Sequence, residues 1–229
     1  MRGSNQPTIL LFDFDSTFCQ LEALDTLAEI VLKDAPDREA RVNAISEITA
    51  QGMNGELGFT ESLSLRFAQI KPTRLQFDEL VHTLKSAVSP SFEAHKEFIR
   101  QHADIIWVVS GGFKDFIVPV VEDFGIGPTH VLANEFIWSN DGASIIDYDR
   151  KNPLSQNGGK IKAVKTLNFS KNTHKIMVGD GMTDYAIRGV GLVDEFVAFT
   201  ETVAREPVVE VADSIAASFS ELLKKLEVE

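Results

Sequence analysis

Asp13 and Asp15 close the apolar run that starts at Thr8, and Asp180 and Asp184 follow Ile176-Met177-Val178. Between them, Ser110-Gly111-Gly112 follows another apolar run, and Lys160 follows Gly158-Gly159. Carboxylates gathered in one place repel one another unless a cation neutralises them, so this inventory implies a hard divalent metal. Magnesium fits best, because it accepts few carboxylates, retains water and favours phosphate oxygens. A hydroxyl, glycine amides with no Cβ in the way, and a lysine are what a phosphate dianion requires. The chemistry suggested is the binding of a phosphate group beside a divalent metal. Taken singly, each part has an ordinary structural meaning: Asp-x-Asp caps a turn or helix, and Gly-Gly after a strand makes a tight turn.

Such groups can act together only if the chain brings them to one place. Residues 8–14 (TILLFDF) read as a buried strand whose C-terminal end carries Asp13 and Asp15. From Glu22 to Val88 the pattern turns helical. One stripe is Leu24, Leu27, Ala28, Val31 and Leu32, and a second is Val42, Ile45, Ile48 and Thr49. Leu63, Phe67 and Ile70 form a third stripe, and Leu75, Leu80, Leu84 and Val88 a fourth. Four helices with no strand between them suggest an inserted helical cap. Alternation then returns: a helix over 92–102, a strand over 105–109, and a helix that Pro119 shortens or kinks. A hairpin follows around Asp141-Gly142, then a helix holding Lys160 and a strand at 176–178. A strand at 196–199 and an amphipathic helix at 219–226 close the chain. The expected fold is α/β, a Rossmann-like, mostly parallel sheet with its site along the strand C-termini. Residues 1–21 and 89–229 form the expected core, and residues 22–88 the four-helix cap.

The 229 residues suit one α/β domain with an insert. With 22 Lys+Arg against 34 Asp+Glu, the net charge is −12, which argues against nucleic acid or an anionic membrane as partner. No apolar run approaches the roughly 20 residues of a membrane span, and residues 1–7 lack the apolar core of a signal peptide. The single cysteine, Cys19, can form neither an internal disulfide nor a cysteine-based zinc site, so a reducing cytoplasm is the expected setting. Cys19 itself reads as a small buried residue. Among the five histidines, His95 and His102 share a helix face without a further ligand, so no zinc site is expected there.

Order and spacing add what the parts alone do not. Asp13-Phe14-Asp15-Ser16-Thr17, Ser110-Gly111-Gly112, Lys160 and Gly179-Asp180-Gly181-Met182-Thr183-Asp184 resemble, in sequence order, the four motifs of the haloacid dehalogenase superfamily of phosphohydrolases. Within it the similarity is greatest to the phosphoserine phosphatases and runs from about Thr8 to the end. The resemblance implies that Asp13 attacks phosphorus and that Asp15 acts as general acid and then base. It implies magnesium held by Asp13, the Asp15 carbonyl and Asp180, with Asp184 in support. It assigns Ser110, the Gly111 amide and Lys160 to the phosphoryl oxygens, places Thr183 near the phosphate, and has Thr17 order the loop.

Substrate choice falls to the insert. The resemblance implies that Glu22 reads an ammonium, Arg66 a carboxylate, and Met53 and Phe59 form an apolar wall over a small phosphomonoester. Each also has a plain alternative: a helix first-turn acid for Glu22, a solvated charge for Arg66, core packing for Met53 and Phe59. Glu135 and Ser91 depart from the family pattern, which favours a basic residue and a glycine there. Two other activities remain open: a phosphatase or phosphotransferase for another small phosphomonoester, and a phosphorylation-sensing module without turnover.

Overall fold

The computed structural model describes residues 7–53 and 56–226. The signal-peptide expectation falls on residues 1–6, outside that range, and on Pro7. Strand β1 (Thr8–Phe12) shows why its sequence has no polar alternation. Leu10 and Phe12 join the apolar cluster on one face of the sheet, and Leu11 joins a second cluster on the other. A parallel strand covered on both faces needs apolar side chains in both directions.

Four helices follow: α1 (Ala23–Val31), α2 (Arg38–Met53), α3 (Phe59–Ala68) and α4 (Arg74–Ser86). The predicted stripes bury Leu24, Leu27, Ala28 and Leu32, then Ile45 and Thr49, then Leu63, Phe67 and Ile70. In the fourth stripe Leu80, Leu84 and Val88 are buried, but Leu75 is 81% exposed. Helical spacing explains the difference: Phe77, three residues before Leu80, lies on the buried face, and Leu75 points away from it. A capping box between Thr73 and Gln76 starts α4. The buried residues of this insertion and of one sheet face form a single contiguous cluster.

The helix predicted over 92–102 is two, α5 (Pro90–Ala94) and α6 (Lys96–Gln101), parted at His95. The Nδ1 atoms of His95 and His102 each donate to a carbonyl of the preceding turn, at Ser91 and Phe98, both at 2.8 Å. The order then runs β2 (Ile106–Phe113), α7 (Lys114–Val121, containing Pro119), β3 (Val131–Asn134) and the hairpin β4 (Phe136–Trp138) and β5 (Ile145–Tyr148). It continues with α8 (Gly159–Val164), β6 (His174–Gly179), α9 (Met182–Gly189), β7 (Glu195–Phe199), α10 (Glu206–Val211), β8 (Ser214–Ala216) and α11 (Phe219–Leu226). Short β3, β8 and α10 carry too little periodicity to be foreseen.

The sheet order is β3-β2-β1-β6-β7-β8, and every pairing is parallel. The chain steps outward from β1 to β2 and β3, then returns to the other side of β1 as β6. That reversal opens a crevice at the C-terminal ends of β1 and β6, where open α/β sheets place their ligands. Cys19 packs inside the protein as expected, and burial pushes its thiol up to about 12. Ser91 ties two parts of the core together. Its amide and hydroxyl bond the Glu201 carboxylate, and the hydroxyl accepts from the Phe219 amide at 2.8 Å.

Candidate active site

Asp13 is the residue after β1, and its amide still donates to the Val178 carbonyl at 2.9 Å. The ladder thus fixes the root of its side chain. Its Oδ1 accepts from the Phe14 amide at 2.7 Å, and its Oδ2 lies 2.7 Å from Lys160 Nζ. Asp180 follows β6, and Asp184 stands in the first turn of α9 with no exposed surface. Asp184 Oδ1 accepts from Lys160 Nζ at 2.7 Å, and its Oδ2 from the Gly181 amide at 3.1 Å. A side chain at Gly179 would collide with the Asp184 carboxylate, so the acid can be seated there only against a glycine.

Oxygens of Asp13, Asp180 and Asp184 lie within 4.8 Å of one another, all buried. Burial, then the charge of Asp13, holds the Asp184 carboxyl well above the usual carboxylate range. The same two causes raise Asp180. Burial works against the charge of Lys160, but Asp13 and Asp184 outweigh it and raise the ammonium pKa. Three buried hard oxygens, two of them sharing Lys160 and the third paired with Arg205, suit a hard divalent cation. The Asp15 side chain is not part of this group. Its Oδ1 accepts from the Ala23 amide at 2.9 Å, at the start of α1, and burial followed by Glu22 holds its carboxyl well above the usual range.

The sequence reading puts Ser110-Gly111-Gly112 just past a strand, but it lies within β2, which runs on to Phe113. Ser110 Oγ accepts from the Gly112 amide at 2.9 Å. A Cβ on Gly111 would come 2.7 Å from the Phe59 ring, so the lack of a side chain lets α3 approach the strand. Thr17 does anchor its loop: its hydroxyl donates to Asp180 Oδ1 at 3.3 Å, and its carbonyl accepts from buried Ser89 at 2.7 Å.

Arg66 is no solvated charge; it is 8% exposed. Its Nη1 donates to Thr49 Oγ1 at 3.3 Å and lies 3.7 Å from Asp25 Oδ1. A cavity of about 60 Å³ is lined by Asp13, Asp15, Glu22, Met53, Phe59, Arg66, Ser110, Gly111, Lys160, Asp180 and Thr183. Every candidate site residue from the sequence lines it except Asp184, which is buried beneath. A wider cavity of about 370 Å³ adjoins it past Met53, Phe59 and Met182.

The haloacid dehalogenase-like hydrolase family matches residues 10–187. The chain belongs to that family. It is 31% identical over 217 residues to the chloroplastic phosphoserine phosphatase of Arabidopsis thaliana, covering 94% of this chain and 70% of that one. It is also 31% identical to the phosphoserine phosphatase of Bos taurus, covering 94% and 92%. The crystal structure of a phosphoserine phosphohydrolase-like protein from Francisella tularensis superposes with a TM-score of 0.82 at 28% identity, covering 96% of this chain and 99% of that one.

In this haloacid dehalogenase-like hydrolase, sequence reasoning overlooks Arg205. It precedes α10, and its Nε donates to Asp180 Oδ2 at 2.9 Å while its Nη2 lies 3.8 Å from Glu22 Oε1. The available signal is its position a few residues past the end of β7, the edge where the other charged groups gather. Ser16 is overlooked too. It holds a left-handed φ of 55° and donates from Oγ to Glu22 Oε1 at 2.7 Å. Burial, partly countered by the Ser16 bond and reinforced by Asp180, raises Glu22 to about 7. Among the described residues no helix is long and apolar enough to cross a membrane.

Proposed function

We propose that this hydrolase is a magnesium-dependent phosphoserine phosphatase, releasing serine and phosphate through an aspartyl phosphate on Asp13. The observation that carries this reading is that Glu22 and Arg66 line the same small cavity as Asp13, Asp15 and Lys160. An acid and a buried guanidinium beside a phosphoryl site suit a substrate with both an ammonium and a carboxylate. The names of its relatives point the same way.

The Asp13 carboxylate attacks phosphorus as the ester P–O bond breaks. Asp15, whose carboxyl burial and then Glu22 hold well above the usual range, gives a proton to the departing serine oxygen. It then takes a proton from the water that attacks the acyl phosphate, regenerating Asp13 and releasing phosphate. Lys160, Ser110 and the Gly111 amide hold the phosphoryl oxygens, with Thr183 beside them. Asp13, Asp180 and the Asp15 carbonyl, with Asp184 in support, would hold magnesium, which would supply positive charge where phosphoryl charge builds. Glu22 binds the substrate ammonium, Arg66 its carboxylate, and Met53 and Phe59 cover it. The insertion over residues 22–88 serves as a cap on the core formed by residues 1–21 and 89–229, excluding water during the first step.

The test is phosphate release from O-phospho-L-serine, phosphothreonine, phosphoethanolamine and an aryl phosphate, before and after chelation and on return of magnesium. Phosphoserine should be preferred, and activity should vanish and return with the metal. Magnesium should also raise the melting temperature of the wild type and not of Asp180→Asn. Preference for another donor, or full activity after metal removal, overturns the reading.

A further inference from the structure

Three helices of the insertion meet at one guanidinium. Arg66 comes from α3, Asp25 from the first turn of α1, and Thr49 from the last part of α2. The hydroxyl of Thr49 accepts from Arg66 Nη1 at 3.3 Å and lies 2.7 Å from Asp25 Oδ1, to which it donates. This makes a directed chain, guanidinium to hydroxyl to carboxylate. The direct ion pair, Arg66 Nη1 to Asp25 Oδ1, is longer at 3.7 Å. Every one of these contacts falls on Nη1. Arg66 Nε is buried and has no partner among the described residues.

This one-sided grip has a consequence for recognition. A guanidinium holds a carboxylate best through two parallel N–H bonds, and its side-on edge presents Nε together with Nη2. The partner on Nη1 leaves Nε uncommitted among the described residues and restrains the plane from turning about the last side-chain bonds. A buried Nε–H without a partner carries a desolvation cost. Thr49 and Arg66 both line the catalytic cavity, so the guanidinium that this chain of contacts holds borders the space assigned to the substrate.

We infer that Asp25, acting through Thr49, is a positioning residue that fixes the Arg66 plane and thereby sets selectivity for substrates bearing an α-carboxylate. The inference rests on the reading of Arg66 given above. Asp25 touches no reacting atom. Burial raises its carboxyl pKa, while Thr49 and Arg66 lower it, in keeping with a carboxylate whose charge is used by these two partners.

The experiment compares kcat and KM for phosphoserine and phosphoethanolamine in wild type, Asp25→Asn, Thr49→Val, Thr49→Ser, Arg66→Ala and the Asp25→Asn/Arg66→Ala double variant. Asp25→Asn and Thr49→Val should each lower kcat/KM for phosphoserine about tenfold, mainly through KM, the scale of one hydrogen bond to a charged group. Phosphoethanolamine should change less than about twofold, because no carboxylate is there to be missed. Thr49→Ser, which keeps the hydroxyl, should retain the preference. In the Arg66→Ala background, Asp25→Asn should cause no further loss on phosphoserine. Equal losses on both substrates, full retention of the preference in Asp25→Asn and Thr49→Val, or additive losses in the double variant would overturn the positioning role. If Arg66→Ala itself lowers both substrates equally, the carboxylate assignment of Arg66 is what fails, and this inference falls with it. A melting temperature for each variant identifies any that fails to fold, and Thr49→Val tests the role independently of Asp25.

Discussion

The strand ends and the helical insertion hold their charges in different ways. Where β1 and β6 end, Lys160 lies 2.7 Å from both Asp13 and Asp184, and Arg205 donates to Asp180 at 2.9 Å. These contacts are short, and Asp13 and Asp180 each follow directly on a strand of the sheet. In the insertion, Arg66 keeps Asp25 at 3.7 Å, shares a hydroxyl with it, and holds Nε buried without a partner among the described residues. A site that must stabilise changing charge on one phosphoryl group benefits from fixed partners, because reorganisation at the moment of reaction is costly. A site that must exchange a whole substrate benefits from a partner held on one side only. The first arrangement suits chemistry, the second selection.

The largest effect should come from the rigid region. Asp13→Asn should lose turnover by at least about 10⁴-fold, since an amide cannot form the acyl phosphate, while circular dichroism stays unchanged. Multiple turnovers by verified, non-deamidated protein would remove Asp13 as nucleophile. Asp15→Asn should slow phosphorylation from the serine ester by about 10²–10⁴-fold and from an aryl phosphate by much less. Rapid-quench comparison of the two esters decides it, and equal losses count against the acid role.

In the insertion, losses should be selective. Arg66→Ala should cost about 2–5 kcal/mol in kcat/KM with phosphoserine, the scale for truncating one member of a buried charge pair, and leave phosphoethanolamine nearly untouched. Equal loss on both would make Arg66 a phosphate ligand or a packing residue, and the contrast between regions would disappear.

Glu22 stands between the regions, and pH separates its effects. Its carboxyl is raised from 4.5 to about 7 in the fold. Between those values the native state binds the extra proton, so metal-free stability should be highest below pH 4.5 in this respect and fall as pH rises through 7. Asp15, Asp180 and Asp184 are raised too, so Glu22→Gln should lessen the slope by the Glu22 share, a change on the order of 1–3 kcal/mol in urea unfolding between acid and neutral pH. An unchanged slope would show that Glu22 is not among the titrating groups. The smallest effect belongs to Leu75→Ser: because Leu75 lies off the buried stripe, stability should stay within about 0.5 kcal/mol. A greater loss would mean that the exposed face of α4 is covered by something else.

The sequence by itself determined the order of the motifs, the helical insertion after β1, and the placing of acids at strand ends. These follow from local physics: apolar runs make buried strands, period 3.6 makes helix stripes, and polar residues collect where a strand leaves the core. Asp13, Asp15, Lys160, Asp180 and Asp184 were therefore legible in the chain alone. Only the tertiary structure decided which remote groups meet. Thr17 reaches Asp180 across 163 positions of sequence. Arg205 joins Asp180 to Glu22, and Asp25, Thr49 and Arg66 converge from three helices. It also decided that Ser110-Gly111-Gly112 stays in the strand, because β3 pairs with β2 as far as Phe113, and that Phe77 rather than Leu75 faces inward. Periodicity tells each residue which side of its own element it faces. Which element lies opposite is set by how the whole chain packs its apolar faces.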